Sequence, residues 1–307
     1  MKKSILNTIV WVSSLLGSSL NTIVWVSSLL GSSSLLGSAL ALSANASEGE
    51  VLVLLSSETS MELASGETIE TGYYLNEFGI PAKALVDAGY KLILATPKGN
   101  APAVDQKSVS VNYFGGDETK LQSIKKFIAN LPDLNDTASF SEILAAGLDE
   151  FDAVFIPGGH APLIDLANNP QVGEILRHFN RENKPTAAIC HGPITLLSAQ
   201  SEPKAYYQSL TTQSPVQAKN WIYDGYQMTI FSNPEEQVFE STLNGEKLNF
   251  YPAAAMSQAG GKMQFANAWQ PKVVVDRELI TGQNPFSDTL LAEKLLEMLA
   301  EEPNIKQ

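Results

Sequence analysis

The chain has very few thiol and imidazole side chains: one cysteine and three histidines among 307 residues. A lone cysteine cannot form a disulfide within the chain, and so few thiol and imidazole groups argue against a structural zinc cage. The single thiol is open to three interpretations. It is a small buried apolar side chain, a metal ligand or a nucleophile.

Basic side chains are also scarce. There are 20 Lys and Arg against 33 Asp and Glu, which gives a formal net charge of −13. Nucleic acids and anionic membranes both require clustered Lys and Arg, so we expect neither a nucleic acid nor a stable membrane partner. The hydrophobic share of 44% is sufficient for a packed core.

The first 46 residues differ from the rest in composition. Lys2 and Lys3 precede a long stretch without charge, which ends in Ala-Asn-Ala at 44–46. A basic start, an apolar middle and a small-residue exit are typical of an export signal. The segment LNTIVWVSSLLGSS occurs twice, at 6–19 and 20–33, so we interpret the unusual length as an internal duplication. We predict a signal peptide over 1–46 and a periplasmic or secreted protein, with an uncleaved membrane anchor as the alternative.

From residue 50 onward, strand-like and helix-like patterns alternate. This alternation favours a mostly parallel sheet with helices on both faces, and no linker divides it. We therefore predict one flavodoxin-like α/β domain over 47–307, with aperiodic insertions at 98–119 and 200–225. Strands are predicted at 50–55, 90–97, 151–159, 185–190, 226–232 and 271–276, and helices at 72–88, 120–131, 172–183, from about 192, near 234–243 and at about 286–300.

The one thiol lies at a predicted strand-to-helix junction, in TAAICHGPITLL at 186–197. Reactive groups of parallel sheets gather where strands end and helices begin. Cys190 follows a buried strand, and Gly192 lets the backbone turn sharply into a helix whose first amides and dipole favour a thiolate. This pattern is a strand–nucleophile–helix elbow with Cys in place of Ser. We predict Cys190 as a nucleophile, against the alternative of a buried structural thiol.

The histidines restrict the chemistry of this thiol. Amidotransferases with a Cys elbow need a histidine well downstream of it, and none follows His191. His178 lies on an amphipathic helix and is interpreted as a surface residue, while His160 follows a Pro-Gly-Gly turn and either lines the site or packs the loop. His191 is the main candidate for the base, and it needs an acidic partner to orient it.

Five separated motifs resemble the ThiJ/PfpI superfamily and occur in its order. Within the superfamily they are most similar to the glutathione-independent glyoxalase III branch, which also contains heat-shock chaperones and proteins described as deglycases. The resemblance covers roughly residues 50–300. The motifs are TGYYLNEFGIPAKALVDAGY (71–90), FIPGGHAPLIDL (155–166), AICHGP (188–193), IFSNPEEQ (230–237) and LITGQNPFS (279–287).

The resemblance implies two acidic site residues. The family's glutamate beside the sulfur falls on Glu77, whose carboxyl would shuttle protons; from the residues alone, Glu77 could equally be a solvated helix carboxylate. The family's acidic partner for the histidine falls on Glu236, with the neighbouring Glu235 as the other possibility.

The resemblance also implies an oxyanion site. Its donors would be the backbone amides of Gly159 and of His191, with Gly158 and His160 in the same substrate-binding turn. The two glycines can also be interpreted simply as a tight turn, and both interpretations can hold together.

The activity implied by the resemblance needs no cofactor. Cys190 would add to a small reactive aldehyde such as methylglyoxal, and a proton shift and hydrolysis would release a 2-hydroxy acid, D-lactate in the family. The resemblance further implies a homodimer. A holdase chaperone, a protein deglycase, and a peptidase or hydratase of the same fold are the alternative functions.

The sequence departs from the family in its metal ligands and in one insertion. Some relatives carry a two-histidine, one-carboxylate metal site, but with three histidines in all we predict no metal. The stretch between the thiol and the predicted acidic partner is long, and its aromatic residues either narrow a pocket or cover the core. They are Tyr206, Tyr207, Trp221 and Tyr223.

Overall fold

A seven-stranded sheet runs through the centre of the protein. Eleven strands are present in the described residues: β1 Gly49–Leu54, β2 Ser60–Glu62, β3 Thr68–Glu70, β4 Tyr90–Thr96, β5 Ala138–Ser139, β6 Phe151–Ile156, β7 Thr186–Ile189, β8 Gln227–Met228, β9 Lys262–Met263, β10 Val273–Asp276 and β11 Leu279–Gly282. The order in the main sheet is β10-β11-β7-β6-β1-β4-β5. All its pairings are parallel except that of β10 with β11. The predicted mostly parallel α/β fold is confirmed.

The structure is a computed structural model that describes residues 48–212 and 216–301, all of which fall in one compact unit. The predicted signal peptide over 1–46 lies outside the described residues and stays a prediction. None of the described helices combines the length and the hydrophobicity that a membrane crossing needs.

Helices cover both faces of the sheet. They are α1 Leu75–Asp87, α2 Glu118–Ala129, α3 Phe140–Ala146, α4 Pro162–Asp165, α5 Pro170–Arg181, α6 Pro203–Thr212, α7 Asn233–Glu240, α8 Pro252–Ala259 and α9 Asp288–Glu301. Because side chains alternate along a strand, Val51 and Val53 of β1 share one apolar cluster with α1, α2 and α9. Leu52 and Leu54 belong to a second cluster with α3, α5 and α8. The near-continuous apolar run of β1 therefore reflects burial on both faces.

Three sequence-based predictions were wrong in detail. The strand expected at 226–232 shrinks to the two residues of β8, which pair with β9 outside the main sheet. The helix expected from about 192 is a 3₁₀ helix over Gly192–Ala199. The segment 200–225 is no loose insertion, because it contains α6 and buries Tyr206, Trp221 and Tyr223 in the core.

The sheet topology fixes where a site can form. From β1 the chain moves outward through β4 to β5, and it then crosses back to β6, β7 and β11 on the other side. The strand order therefore reverses between β1 and β6. In open α/β sheets, the crevice at the carboxyl ends of the strands beside such a reversal is the usual binding position, and the turns after β6 and β7 both lie at this edge.

Candidate active site

Cys190 lies in a strained turn immediately after β7. Its φ angle is +58°, a left-handed conformation that residues other than glycine adopt rarely. Two long-range hydrogen bonds hold this conformation: the Cys190 amide donates to the Gly282 carbonyl, and the Phe231 amide donates to the Cys190 carbonyl. A Cβ on Gly192 would come within 2.4 Å of the Ile156 carbonyl oxygen, so the turn requires glycine there.

A chain of three side chains starts at the sulfur. Cys190 Sγ lies 3.3 Å from His191 Nδ1, and His191 Nε2 lies 2.7 Å from Glu236 Oε1. All three residues are buried. The geometry is that of a nucleophile, a base and an acid that orients the base.

Glu236, and not Glu235, is the carboxylate that contacts His191. Glu235 accepts five hydrogen bonds, from the Ser232 amide and hydroxyl, the Trp269 amide and the Gln283 and Asn284 side-chain amides. The two neighbouring carboxylates therefore have separate tasks. Glu236 orients the imidazole, and Glu235 ties the start of α7 to the loops that carry Trp269 and Asn284.

Glu77 lies beside the sulfur on α1 and is completely buried. Neither of its carboxyl oxygens has good hydrogen-bond geometry to a described group, although the Cys190 thiol and the Gly158 amide are its polar neighbours. Burial raises the pKa of Glu77 well above its ordinary value, and the Asp288 charge adds to this effect. The solvated-carboxylate interpretation of Glu77 is therefore wrong.

The Gly158-Gly159 turn after β6 brings the backbone against the nucleophile. A Cβ on Gly158 would lie 2.4 Å from Glu77 Oε2 and 2.7 Å from Cys190 Cβ. Gly159 has a φ of +86°, and a Cβ there would lie 2.0 Å from the Gly72 carbonyl oxygen. Both positions therefore require glycine. Among the described residues, the Gly159 and His191 amides donate to no protein acceptor, so both remain available to a ligand.

His160 extends the chain of side chains by one imidazole. Its Nε2 lies 3.4 Å from Glu236 Oε2, and its ring lies 4.0 Å from that of His191 and 4.1 Å from that of Phe239. Burial lowers the pKa of His160, and the neighbouring His191 lowers it further, so both effects favour the neutral ring. Each oxygen of the Glu236 carboxylate therefore contacts one imidazole: Oε1 contacts His191 and Oε2 contacts His160.

Residues 68–229 match the DJ-1/PfpI family. The chain belongs to the DJ-1/PfpI family. The resemblance drawn from the five motifs is thus confirmed. The chain is 26% identical over 258 residues to the glutathione-independent glyoxalase hsp3101 of Schizosaccharomyces pombe, an alignment that covers 82% of this chain and 97% of that protein.

Other comparisons agree with this assignment. The protein/nucleic acid deglycase HchA of Pseudomonas aeruginosa is 24% identical over 261 residues, which cover 82% of each chain. The crystal structure of glyoxalase III from Candida albicans superposes with a TM-score of 0.62 at 20% identity, over 82% of this chain and 97% of that one. This likeness supports the fold.

The electrostatic prediction for the thiol was wrong. A thiolate stabilised by a helix N-terminus was expected, but Cys190 is only 2% exposed and the helix that follows is 3₁₀. Burial raises the pKa of Cys190 well above its ordinary value, and the Glu77 carboxyl raises it further. Two buried acids in contact cannot both ionise, so this DJ-1/PfpI site retains a proton on the Cys190–Glu77 pair.

The same residues bear on the predicted absence of a metal. The ligand atoms of His160, His191 and Glu236 lie within 4.8 Å of one another and could hold a metal ion. Three histidines are thus enough for a two-histidine, one-carboxylate set, contrary to the reasoning from their number. A metal ion there would compete for the groups that join His191 to Glu236, and the absence of a metal stays a prediction.

A pocket of about 240 Å³ opens onto Cys190 and both imidazoles. Sequence reasoning missed most of its wall, which comes from five separate segments. The insertion at 98–119, interpreted as a cover over the sheet edge, contributes to the rim and the wall. The missed lining residues are Tyr74, Lys107, Tyr113, Phe231, Val238, Phe239, Thr242, Trp269 and Pro285.

His178 takes no part in the site. It was expected on the surface but is only 8% exposed, because it packs on α5 beside Phe179 with its Nδ1 3.3 Å from the Arg181 guanidinium. The candidate site thus contains two of the three histidines, His160 and His191.

Proposed function

We propose that the protein is a cofactor-independent, glyoxalase III-type enzyme that converts α-oxoaldehydes such as methylglyoxal into 2-hydroxy acids through a covalent adduct on Cys190. Family membership and the named relatives support the reaction class. The observation that carries the proposal is the Glu77 carboxyl: it is fully buried, lacks a good hydrogen-bond partner among the described residues and lies beside the only thiol.

The reaction begins with transfer of the thiol proton to His191, whose Nδ1 is 3.3 Å from the sulfur. The resulting imidazolium is stabilised by Glu236, because a carboxylate at 2.7 Å balances its charge. The sulfur then adds to the aldehyde carbon and forms a hemithioacetal. The Gly159 and His191 amides are the donors for the oxygen that becomes negative.

Glu77 carries out the proton shift that distinguishes this chemistry from simple thiol addition. The proton that the Cys190–Glu77 pair retains leaves with the thiol, so Glu77 is ionised when the adduct forms, and its raised pKa makes it a stronger base than an ordinary carboxylate. It takes the proton from the former aldehyde carbon and returns it to the neighbouring carbon through an enediol. The product is a thioester of the 2-hydroxy acid, and water then cleaves the carbon–sulfur bond and regenerates the thiol.

The direct test is incubation of the purified protein with methylglyoxal, without glutathione or added metal, followed by chiral analysis of lactate. We expect D-lactate from the native protein and none from Cys190→Ala or Glu77→Gln. If neither methylglyoxal nor glyoxal yields a 2-hydroxy acid, the proposal fails.

The alternative functions give different results in the same experiments. A deglycase would release lactate from methylglyoxal adducts of lysine or arginine faster than from the free aldehyde. A peptidase or hydratase would leave methylglyoxal unchanged. A holdase would protect a denatured client equally well after Cys190→Ala.

We further propose that the enzyme acts outside the cytoplasm, since the composition of residues 1–46 is that of an export signal. Detection of the mature protein in a periplasmic or culture fraction would support this location. Its retention in the cytoplasm at full length would contradict it.

A further inference from the structure

The pocket at Cys190 is larger than methylglyoxal needs. Its volume is about 240 Å³, whereas pockets of roughly 300–1,000 Å³ hold drug-sized ligands. It therefore suits a ligand smaller than a drug molecule. Methylglyoxal, with five heavy atoms, is smaller still and would leave much of the pocket to water.

Aromatic and imidazole side chains in contact with one another form two parts of the pocket wall. The first part runs without interruption from Phe239 through His160, His191 and Phe231 to Trp269, with successive ring centroids 4.1, 4.0, 4.7 and 5.6 Å apart. The second is an edge-to-face pair of Tyr74 and Tyr113, 5.4 Å apart. Ring faces and edges of this kind favour an aromatic guest over a methyl group.

The charged side chains and the imidazoles of the pocket lie at its two ends. His160 and His191 are engaged with Glu236 around the sulfur, so the two carbonyl groups of a substrate belong there. Lys107 and Thr242 are shared with a larger groove beside the pocket and therefore lie at the rim. Between these two ends, a substituent meets aromatic and aliphatic side chains.

The backbone that carries these rings is held in place by hydrogen bonds within the protein. Trp269 has a φ of +66°, and its amide donates to Glu235 Oε1 at 2.7 Å. The Tyr74 amide donates to the Gly158 carbonyl at 3.4 Å. Tyr113 belongs to a short 3₁₀ helix that Ser110 caps. Fixed walls select by shape because little ordering accompanies binding.

We propose that the enzyme is selective for 2-oxoaldehydes with an aromatic substituent, with phenylglyoxal as the simplest member of the class. This inference rests on the proposed function, since it assigns a substrate to the same thiol chemistry. The aldehyde carbon bonds to Cys190 Sγ, its proton moves to the ketone carbon, and water releases the product. Phenylglyoxal plus water thus gives mandelic acid, without an oxidant or a reductant.

The test compares kcat/KM for phenylglyoxal and methylglyoxal in three proteins: the native enzyme, Tyr113→Leu and Phe265→Leu. Phe265 is the matched control, because it is an aromatic residue that is 44% exposed and outside the pocket. We expect a phenylglyoxal-to-methylglyoxal ratio of at least about tenfold in the native enzyme, the size expected from burial of one ring. Intrinsic aldehyde reactivity cancels when this ratio is compared between proteins.

Tyr113→Leu should lower the ratio at least about threefold, and Phe265→Leu should leave it unchanged. A ratio near or below one in an enzyme that does convert methylglyoxal would overturn the selectivity and leave the proposed function standing. If neither aldehyde yields a hydroxy acid, the proposed function itself fails.

A second measurement on the native protein keeps the inference testable if Tyr113→Leu does not fold. Cys190 is the only cysteine, so its alkylation by iodoacetamide can be followed by intact mass. Mandelate should protect it at a concentration at least about tenfold lower than lactate does. Equal protection by the two acids would contradict the selectivity.

Discussion

Replacement of Glu236 by glutamine should remove most of the activity and leave the fold in place. Glutamine has the same shape, and its oxygen can still accept from His191 Nε2, which lies 2.7 Å from Glu236 Oε1. The substitution therefore removes the negative charge and, at the other oxygen, the acceptor that faces His160 Nε2. That charge is the only part of Glu236 that the proton transfer from the thiol requires.

The size of the effect follows from the pKa of this carboxyl. Burial alone would raise the pKa of Glu236, but the His191 charge and the hydrogen bonds from both imidazoles lower it to about 2 from an ordinary 4.5. A difference of about 2.5 units corresponds to about 3 kcal/mol. Part of this stabilisation comes from His191, and the imidazolium formed in the first step loses that part when the charge of Glu236 is removed. We expect kcat/KM to fall on the order of 100-fold.

The same shift predicts how stability depends on pH. The pKa of Glu236 is lower in the folded state than in the unfolded state, so the carboxylate stabilises the fold fully above about pH 4.5 and loses this contribution as the pH falls towards 2. Between about pH 4.5 and 2, the free energy of unfolding measured in urea should therefore fall by up to about 3 kcal/mol more for the native protein than for Glu236→Gln.

The assay is the initial rate of 2-hydroxy acid formation, with Glu240→Gln as the matched control. Glu240 lies on the same helix and is also buried, but it binds Lys247, Leu248 and Tyr251 instead of an imidazole. The control should lose stability with little loss of turnover. More than a tenth of the native activity in Glu236→Gln, or an equal loss in Glu240→Gln, would refute the reasoning.

Three further substitutions test other contacts of the site. The raised pKa of Glu77 makes the native fold lose stability as the pH rises above about 4.5. Glu77→Gln should therefore be inactive and yet have a higher melting temperature than the native protein, by a margin that widens from pH 5 to 8. A margin that stays constant would contradict a buried acid at this position. His160→Phe keeps the ring but loses the contact with Glu236, so kcat/KM should fall about tenfold, and unchanged kinetics would show that His160 only fills space. Glu235→Gln replaces one of the two acceptor oxygens by an amide donor, so two or three of the five donors lose their acceptor. The free energy of unfolding should fall by about 2–4 kcal/mol in urea titration, and a loss below about 1 kcal/mol would contradict this structural role.

Local sequence signals predicted the fold and the nucleophile turn well. The apolar run of β1 and the amphipathic pattern of α5 depend only on side-chain periodicity, which survives in any packing arrangement. The turn at Cys190 was readable for the same reason. A buried strand, a reactive residue and an essential glycine at position 192 occupy consecutive positions in the chain.

Long-range packing explains the errors. His178 lies on the polar side of its helix pattern, but neighbouring elements cover it, and no local pattern reports such contacts. The choice between Glu235 and Glu236 depended on which side of α7 faces His191. The pocket wall could not be predicted either, because Tyr113 and Trp269 come from segments without periodicity and reach the pocket only through long-range packing.

The most instructive error concerns how the thiol is activated. The sequence places Cys190 before a helix, which favoured an argument from the helix dipole. The structure instead buries the sulfur between an acid that opposes its ionisation and an imidazole 3.3 Å away, which is the proton acceptor in the proposed mechanism. A permanently ionised thiol would react with any electrophile that entered the pocket. In this arrangement the sulfur becomes nucleophilic only when the His191–Glu236 pair receives the proton, so reactivity depends on a substrate that makes this transfer favourable.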